Sequence, residues 1–316
     1  MNNILSVTCG VGGLALLYYG ADGLVRGGST LAARLKVPPL VIGLTLIAFG
    51  TSAPEFFVSV GAAWHGLGDI CVGNIVGSNI CNIALILGLT ALIAPVAVNP
   101  KIIRRDIPVM IAASLALTVR CLVGGGLGRL GGVAFLLALA VYTFASVAAL
   151  RDQSDASEET TVARGSAWAV AATVGGLAML VVGAKLLLLA AVAIERELGV
   201  SDEVIALTVV AVGTSLPELA TSVIAARKGE ADIAVGNIVG SNIFNILGIL
   251  GVSSLVAPVT AGGIGILDYG MMVVTAVMLA PLVGIRRKLG RIEGVILLLT
   301  YVGYLTFLVA GNKGTF

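Results

Sequence analysis

The chain has 316 residues, 58% of them hydrophobic and 11% charged, with a net charge of +2 and a mean hydropathy of +1.07. That composition excludes a soluble domain and describes an integral membrane protein with room for about ten spans of about 20 residues each. The net charge decides little and no nucleic-acid partner is expected; where the charges fall along the chain decides more.

The amino-terminal apolar run has no basic n-region and no cleavage site, so it reads as the first helix and not as a signal peptide. Charged, Gly and Pro punctuation predicts ten helices, near 4–22, 38–63, 70–94, 107–123, 130–150, 167–194, 203–226, 232–256, 268–285 and 293–310. The fold class is therefore an all-α membrane protein of ten transmembrane helices. A first half of five spans (1–150) and a second (167–316) are joined by the polar linker 151–166. Cys9, Cys71, Cys81 and Cys121 form no CxxC pair and lie in or beside apolar runs, as small packing residues do. His65 falls near a span end and reads as an interfacial side chain.

Within the second predicted span, Gly50-Thr51-Ser52-Ala53-Pro54-Glu55 places a carboxylate and a helix-breaking proline in an otherwise uncharged stretch. Shifting by 163 gives Gly213-Thr214-Ser215-Leu216-Pro217-Glu218 in the seventh span. A carboxylate at membrane depth costs a few kcal/mol and marks a functional site. Each proline removes a backbone donor, which frees a carbonyl four residues earlier, and such irregular backbone survives in a bilayer only when buried or lining a wet cavity. Freed carbonyls, the hydroxyls of Thr51, Ser52, Thr214 and Ser215, and the carboxylates of Glu55 and Glu218 are hard donors suited to Na⁺ or Ca²⁺.

The duplication is long. Residues 68–83 match 231–246 at the same shift with only Gly68/Ala231, Cys71/Ala234 and Cys81/Phe244 differing, so the repeated motif covers 50–83 and 213–246. On the third span Asn74, Ser78 and Asn82 recur every four residues along one face, as Asn237, Ser241 and Asn245 do on the eighth. These can glue helices together or face ions; Ser78, Asn82, Ser241 and Asn245 are expected nearer the ions.

Basic residues set the orientation. With the amino terminus outside, fourteen of them, from Arg26 to Arg291, fall in cytoplasmic loops, against Arg120, Arg129, Arg196 and Lys313 on the other side. Both termini then face out and the linker is cytoplasmic. Five spans per half force the second half to cross the membrane the other way up, which is the inverted-repeat design of secondary transporters. Oxygen rings also build channels, the alternative in a different class. The 163 shift further pairs Asp22 with Lys185, either as an ion pair between helices one and six or as two separate interfacial side chains.

The two motifs, Gly50 to Glu55 with Gly73-Asn74-Ile75-Val76-Gly77-Ser78-Asn79 and Gly213 to Glu218 with Gly236-Asn237-Ile238-Val239-Gly240-Ser241-Asn242, resemble the cation/Ca²⁺ exchanger superfamily, specifically its prokaryotic sodium/calcium exchangers. The resemblance implies a ten-helix antiporter with no enzymatic chemistry and no organic cofactor, in the cell (inner or plasma) membrane, carrying Ca²⁺ and Na⁺. It adds the carbonyls of Ala48 and Ala211 to the ligand set and makes helices one and six the sliding pair. Some family members carry an aspartate where this chain has Asn245, so this site holds two formal charges instead of three. Exchange of Ca²⁺ for Na⁺ is expected, with Ca²⁺/H⁺ exchange as the alternative.

Overall fold

A computed structural model describes residues 3–151, 165–197, 211–284 and 286–312. The described residues form helices α1 (Asn3–Leu35), α2 (Pro39–Thr51), α3 (Ala53–Trp64), α4 (Gly68–Ile93), α5 (Ile102–Gly124) and α6 (Arg129–Arg151) in the first half. In the second half come α7 (Ser166–Glu197), α8 (Ala211–Thr214), α9 (Leu216–Arg227), α10 (Ala231–Val256), α11 (Ile266–Gly284) and α12 (Arg291–Asn312). The linker residues 152–164 and the start of the predicted seventh span lie outside the described residues. Seven of these helices are long and apolar enough to cross a membrane, or eight when the bent pair α2–α3 counts as one span, among the described residues.

α1 runs well past the expected end at residue 22. Asp22 and Arg26, four residues apart, form an ion pair at 2.8 Å along the helix instead of ending it. The stop comes at Lys36, whose φ of 52° puts it in the left-handed region. Val37 N–H then returns to the Ala32 carbonyl at 3.0 Å, ahead of Pro38 and Pro39. The predicted continuous second span is broken at Ser52, where α2 and α3 meet at a 50° bend. Pro54 sits in the first turn of α3 and Pro217 in the first turn of α9, positions at which a missing N–H costs nothing.

At the centre stand α4 and α10, with 78% and 94% of their most apolar windows buried, against 17–33% for the other candidate spans. Each contains a π-helical stretch, Cys81–Leu87 in α4 and Phe244–Ile249 in α10. α1 and α7 pack against each other through glycines. A Cβ on Gly13 would lie 2.8 Å from the Gly183 carbonyl oxygen, and one on Gly176 would lie 2.6 Å from that of Gly20. Backbones this close need small residues at the crossing.

The two halves are stitched together at their loops. Strand β1 (Val96–Ala97) pairs antiparallel with β4 (Lys288–Leu289), and β2 (Gly126–Leu127) pairs with β3 (Val259–Thr260). Asp69 accepts from the Gly263 N–H at 2.8 Å, and Asp232 accepts from Asn99 Nδ2 at 3.2 Å. Of the two alternatives for Asp22 and Lys185, the ion pair between them is not formed. Asp22 binds Lys228 and Arg26 instead, and Lys185 is exposed on α7. A shared sequence shift matches positions in two repeats but does not bring those positions into contact. Cys71, Cys81 and Cys121 are buried and unpaired, as packing residues are, and His65 is exposed at the end of α3.

Candidate ion-binding site

The bends at Ser52 and Ser215 aim the first turns of α3 and α9 at one another. Each bend residue leaves the helical region with ψ near zero, at φ −80°, ψ 11° for Ser52 and φ −89°, ψ 9° for Ser215. Glu55 and Glu218, one turn further on, are completely buried. Their hydrogen bonds cross between halves. Ser215 Oγ donates to Glu55 Oε1 at 2.9 Å, and Ser52 Oγ donates to Glu218 Oε1 at 2.8 Å. Ser241 Oγ on α10 lies 3.4 Å from both Glu218 Oε1 and the Ala48 carbonyl oxygen. That carbonyl also accepts from the Ser52 N–H at 3.2 Å, and it lies 3.4 Å from Thr51 Oγ1.

The predicted residues fall into four groups. Glu55, Glu218, Ser52, Ser215, Ser241 and Ala48 are brought together directly by these contacts. Thr51 and Thr214 are buried in the adjoining turns, with Thr51 Oγ1 donating to Asn237 Oδ1 at 3.0 Å. Ser78, Asn82 and Asn245 are buried on the central helices. Ala211 begins α8, at the edge of the described residues.

Five of the buried polar atoms with no hydrogen-bond partner belong to these predicted residues: Glu55 Oε2, Glu218 Oε2, Ser78 Oγ, Asn82 Oδ1 and Asn245 Oδ1. An unpartnered buried polar atom costs about 1–3 kcal/mol, and more if charged, so a set of them calls for a ligand. Among the described residues neither buried carboxylate forms an ion pair with Lys or Arg, so no protein cation offsets them. All five atoms are oxygens. The donors therefore favour a hard cation over zinc or copper.

Asn74 and Asn237 act as the glue that their spacing permitted. Asn74 Nδ2 donates to Ser59 Oγ at 2.9 Å and to the Glu55 carbonyl at 3.3 Å. Asn237 Nδ2 repeats this toward Ser222 Oγ at 3.1 Å and the Glu218 carbonyl at 3.5 Å. Sequence reasoning missed Asn79 and Asn242, which lie beside Ser78 and Ser241 and bind across the halves. Their signal was the same duplication that marked their neighbours.

The family described as Sodium/calcium exchanger protein matches residues 5–148 and 168–310. The chain is 44% identical over 308 residues to CaxA of Alkalimonas amylolytica, covering 92% of this chain and 95% of that one. It is 38% identical over 311 residues to the inner membrane protein YrbG of Escherichia coli K12, covering 94% of both. It is 32% identical over 336 residues to the sodium/calcium exchanger MaX1 of Methanosarcina acetivorans, covering 94% and 96%. The solved structure of the sodium-calcium exchanger NCX_Mj without Na⁺ and Ca²⁺ superposes with a TM-score of 0.83 at 34% identity, covering 96% of this chain and 99% of that one. Members of this family are membrane transporters and not enzymes, and the all-α fold, the paired carboxylate turns and these similarities together show that the chain belongs to the sodium/calcium exchanger family of multi-pass antiporters.

Proposed function

We propose that the chain exchanges Ca²⁺ for Na⁺ by alternating access across the cell membrane, the location carried in the name of the inner membrane protein YrbG. The observation that carries this reading is the set of five unpartnered buried oxygens drawn from both halves, two of them carboxylate. Two carboxylates match one Ca²⁺ in charge, and Na⁺ ions would share the same two. The ligand set is Glu55, Glu218, Thr51, Ser52, Thr214, Ser215, Ser78, Asn82, Ser241 and Asn245, with the carbonyls of Ala48 and Ala211. No covalent chemistry and no organic cofactor is involved.

The ten-span, two-repeat architecture belongs to this reading. The eight spans counted with the α2–α3 pair become ten when α1 and the α8–α9 pair are added. Loop contacts support the grouping of these segments by side of the membrane. β1 with β4 and Asp232 with Asn99 join segments assigned to the cytoplasm, as does Lys228, which reaches Asp22 on α1, while β2 with β3 and Asp69 with Gly263 join segments assigned to the outside. The close glycine crossing of α1 and α7 suits a pair that slides as one body.

Ca²⁺ flux in purified proteoliposomes under an imposed Na⁺ gradient, and separately under a pH gradient, tests the coupling. Flux driven by Na⁺ alone is expected. Flux driven only by the pH gradient would replace Na⁺ with H⁺ as the counter-ion, and Ca²⁺ flux with no need for either ion on the far side would make the protein a channel.

A further inference from the structure

Four asparagines form a hydrogen-bonded network between α4 and α10, in which Asn79 and Asn242 bind each other and each holds one more. Asn79 Nδ2 donates to the Asn242 backbone carbonyl at 3.3 Å, and Asn242 Nδ2 donates to the Asn79 backbone carbonyl at 3.3 Å. The side-chain oxygens freed by this arrangement accept the amides of the neighbouring pair. Asn245 Nδ2 donates to Asn79 Oδ1 at 3.1 Å, and Asn82 Nδ2 donates to Asn242 Oδ1 at 3.0 Å. All four side chains are at most 1% exposed, so no water competes for these bonds.

The network has a direction. A primary amide is nearly symmetric in shape, and left alone it can turn over and present either its oxygen or its NH₂ group. Toward a cation only the oxygen is useful, because the NH₂ hydrogens carry positive charge. A backbone carbonyl only accepts, so Asn79 must turn its Nδ2 to the Asn242 carbonyl and its Oδ1 the other way. Asn79 Oδ1 in turn only accepts, which obliges Asn245 to offer Nδ2 there and leaves Asn245 Oδ1 facing away, unpartnered. The same logic runs from the Asn79 carbonyl through Asn242 to Asn82, whose Oδ1 is likewise unpartnered.

We propose that Asn79 and Asn242 are positioning residues, each of which fixes the carbonyl-outward orientation of the ligand amide belonging to the other half. Asn79 serves Asn245, and Asn242 serves Asn82. This rests on the reading of Asn82 and Asn245 as cation ligands, and it makes the ligand geometry of each half depend on a side chain of its opposite.

The test is a crossed set of variants, with the Ca²⁺ concentration for half-maximal flux and the maximal flux measured separately in proteoliposomes. Asn79→Leu keeps bulk but neither donates nor accepts. It should raise the half-saturating Ca²⁺ concentration by about 10-fold or more, the usual effect of removing a group that orients a metal ligand, with a much smaller change in maximal flux. Asn79→Leu added to Asn245→Ala should be no worse than Asn245→Ala alone, whereas added to Asn82→Ala it should worsen binding multiplicatively. Asn242→Leu should show the opposite pairing. Where a leucine variant does not fold, as judged by size-exclusion profile and thermal melting, Asn79→Ser or Asn242→Ser takes its place in the same cycle. Effects that multiply with both ligand variants alike, or that fall on maximal flux with half-saturation unchanged, would overturn the proposal while leaving the cation site standing. Unchanged Ca²⁺ half-saturation in Asn82→Ala and Asn245→Ala themselves would overturn the site reading and the proposal together.

Discussion

Replacing Glu55 by Gln changes one atom of the site and removes one unit of negative charge. Gln keeps an oxygen for the Ser215 hydroxyl, now 2.9 Å from Glu55 Oε1, and replaces the unpartnered Oε2 with a neutral NH₂ or its flipped equivalent. At about 4 Å and an effective dielectric of about 20, a unit charge pair is worth about 4 kcal/mol, so the lost attraction is about 8 kcal/mol for Ca²⁺ and about 4 kcal/mol for Na⁺. The amide dipole restores part of this for both ions. The difference between them is the sturdier quantity, about 2–4 kcal/mol, or roughly 30- to 1,000-fold in selectivity against Ca²⁺. Ca²⁺ exchange should therefore vanish at millimolar Ca²⁺ while Na⁺ binding survives in weakened form. Folding should be unharmed, because a fully buried charge has been removed and its hydrogen bond kept. Radioactive Ca²⁺ uptake and Na⁺ binding by calorimetry, with a thermal melt on the same preparation, make the assay; a well-folded Glu55→Gln protein with parental Ca²⁺ flux, or with Ca²⁺ and Na⁺ weakened equally, would show that the Glu55 charge does not select Ca²⁺. Glu218→Gln should behave alike.

Gly176→Leu should force α1 and α7 apart, since a Cβ there would already lie 2.6 Å from the Gly20 carbonyl oxygen; a loss of about 1–3 kcal/mol in thermal stability, with reduced flux, is expected. Asp22 and Lys228 are 21% and 27% exposed, so breaking their pair by Lys228→Met should cost no more than about 1 kcal/mol. The double exchange Asp22→Lys with Lys228→Asp should recover transport better than Asp22→Lys with Lys185→Asp, and equal recovery by both would contradict the observed pairing. In a background without native cysteines, Arg291→Cys should react with impermeant thiol reagents only from the cytoplasmic side and Gly262→Cys only from outside. Labelling of both from one side would break the proposed topology.

Much of the site was legible because it is repeated. A 163-residue echo of a charged, proline-interrupted turn in an apolar span has few physical excuses other than a polar cavity, and it led to Glu55, Glu218 and their hydroxyl neighbours directly. What could not be read were the partners. Ser52 binds Glu218 and not Glu55, and Asp22 binds Lys228 and not Lys185, because contact depends on how two repeats dock and not on where they align. Helical periodicity was equally silent about the π-helical turns at Cys81 and Phe244, since it assumes the regular turn that these interrupt. The length of α1 was underestimated for a local reason: charges four residues apart on one helix face neutralise each other and let the helix continue.

The crossed bonding also bears on how the protein is made. Ser52 is separated from its partner Glu218 by 166 residues, and Glu55 from Ser215 and Asn82 from Asn242 by 160. At about 5–20 residues per second, the ribosome takes about 8–30 s to supply those partners. During that interval the first half waits with a membrane-depth carboxylate, two unclosed edge strands and an unturned amide. A chain cut in the polar linker should leave two fragments that insert separately yet bind no ion until they meet, and the slow step of biogenesis should be that meeting rather than the insertion of any helix.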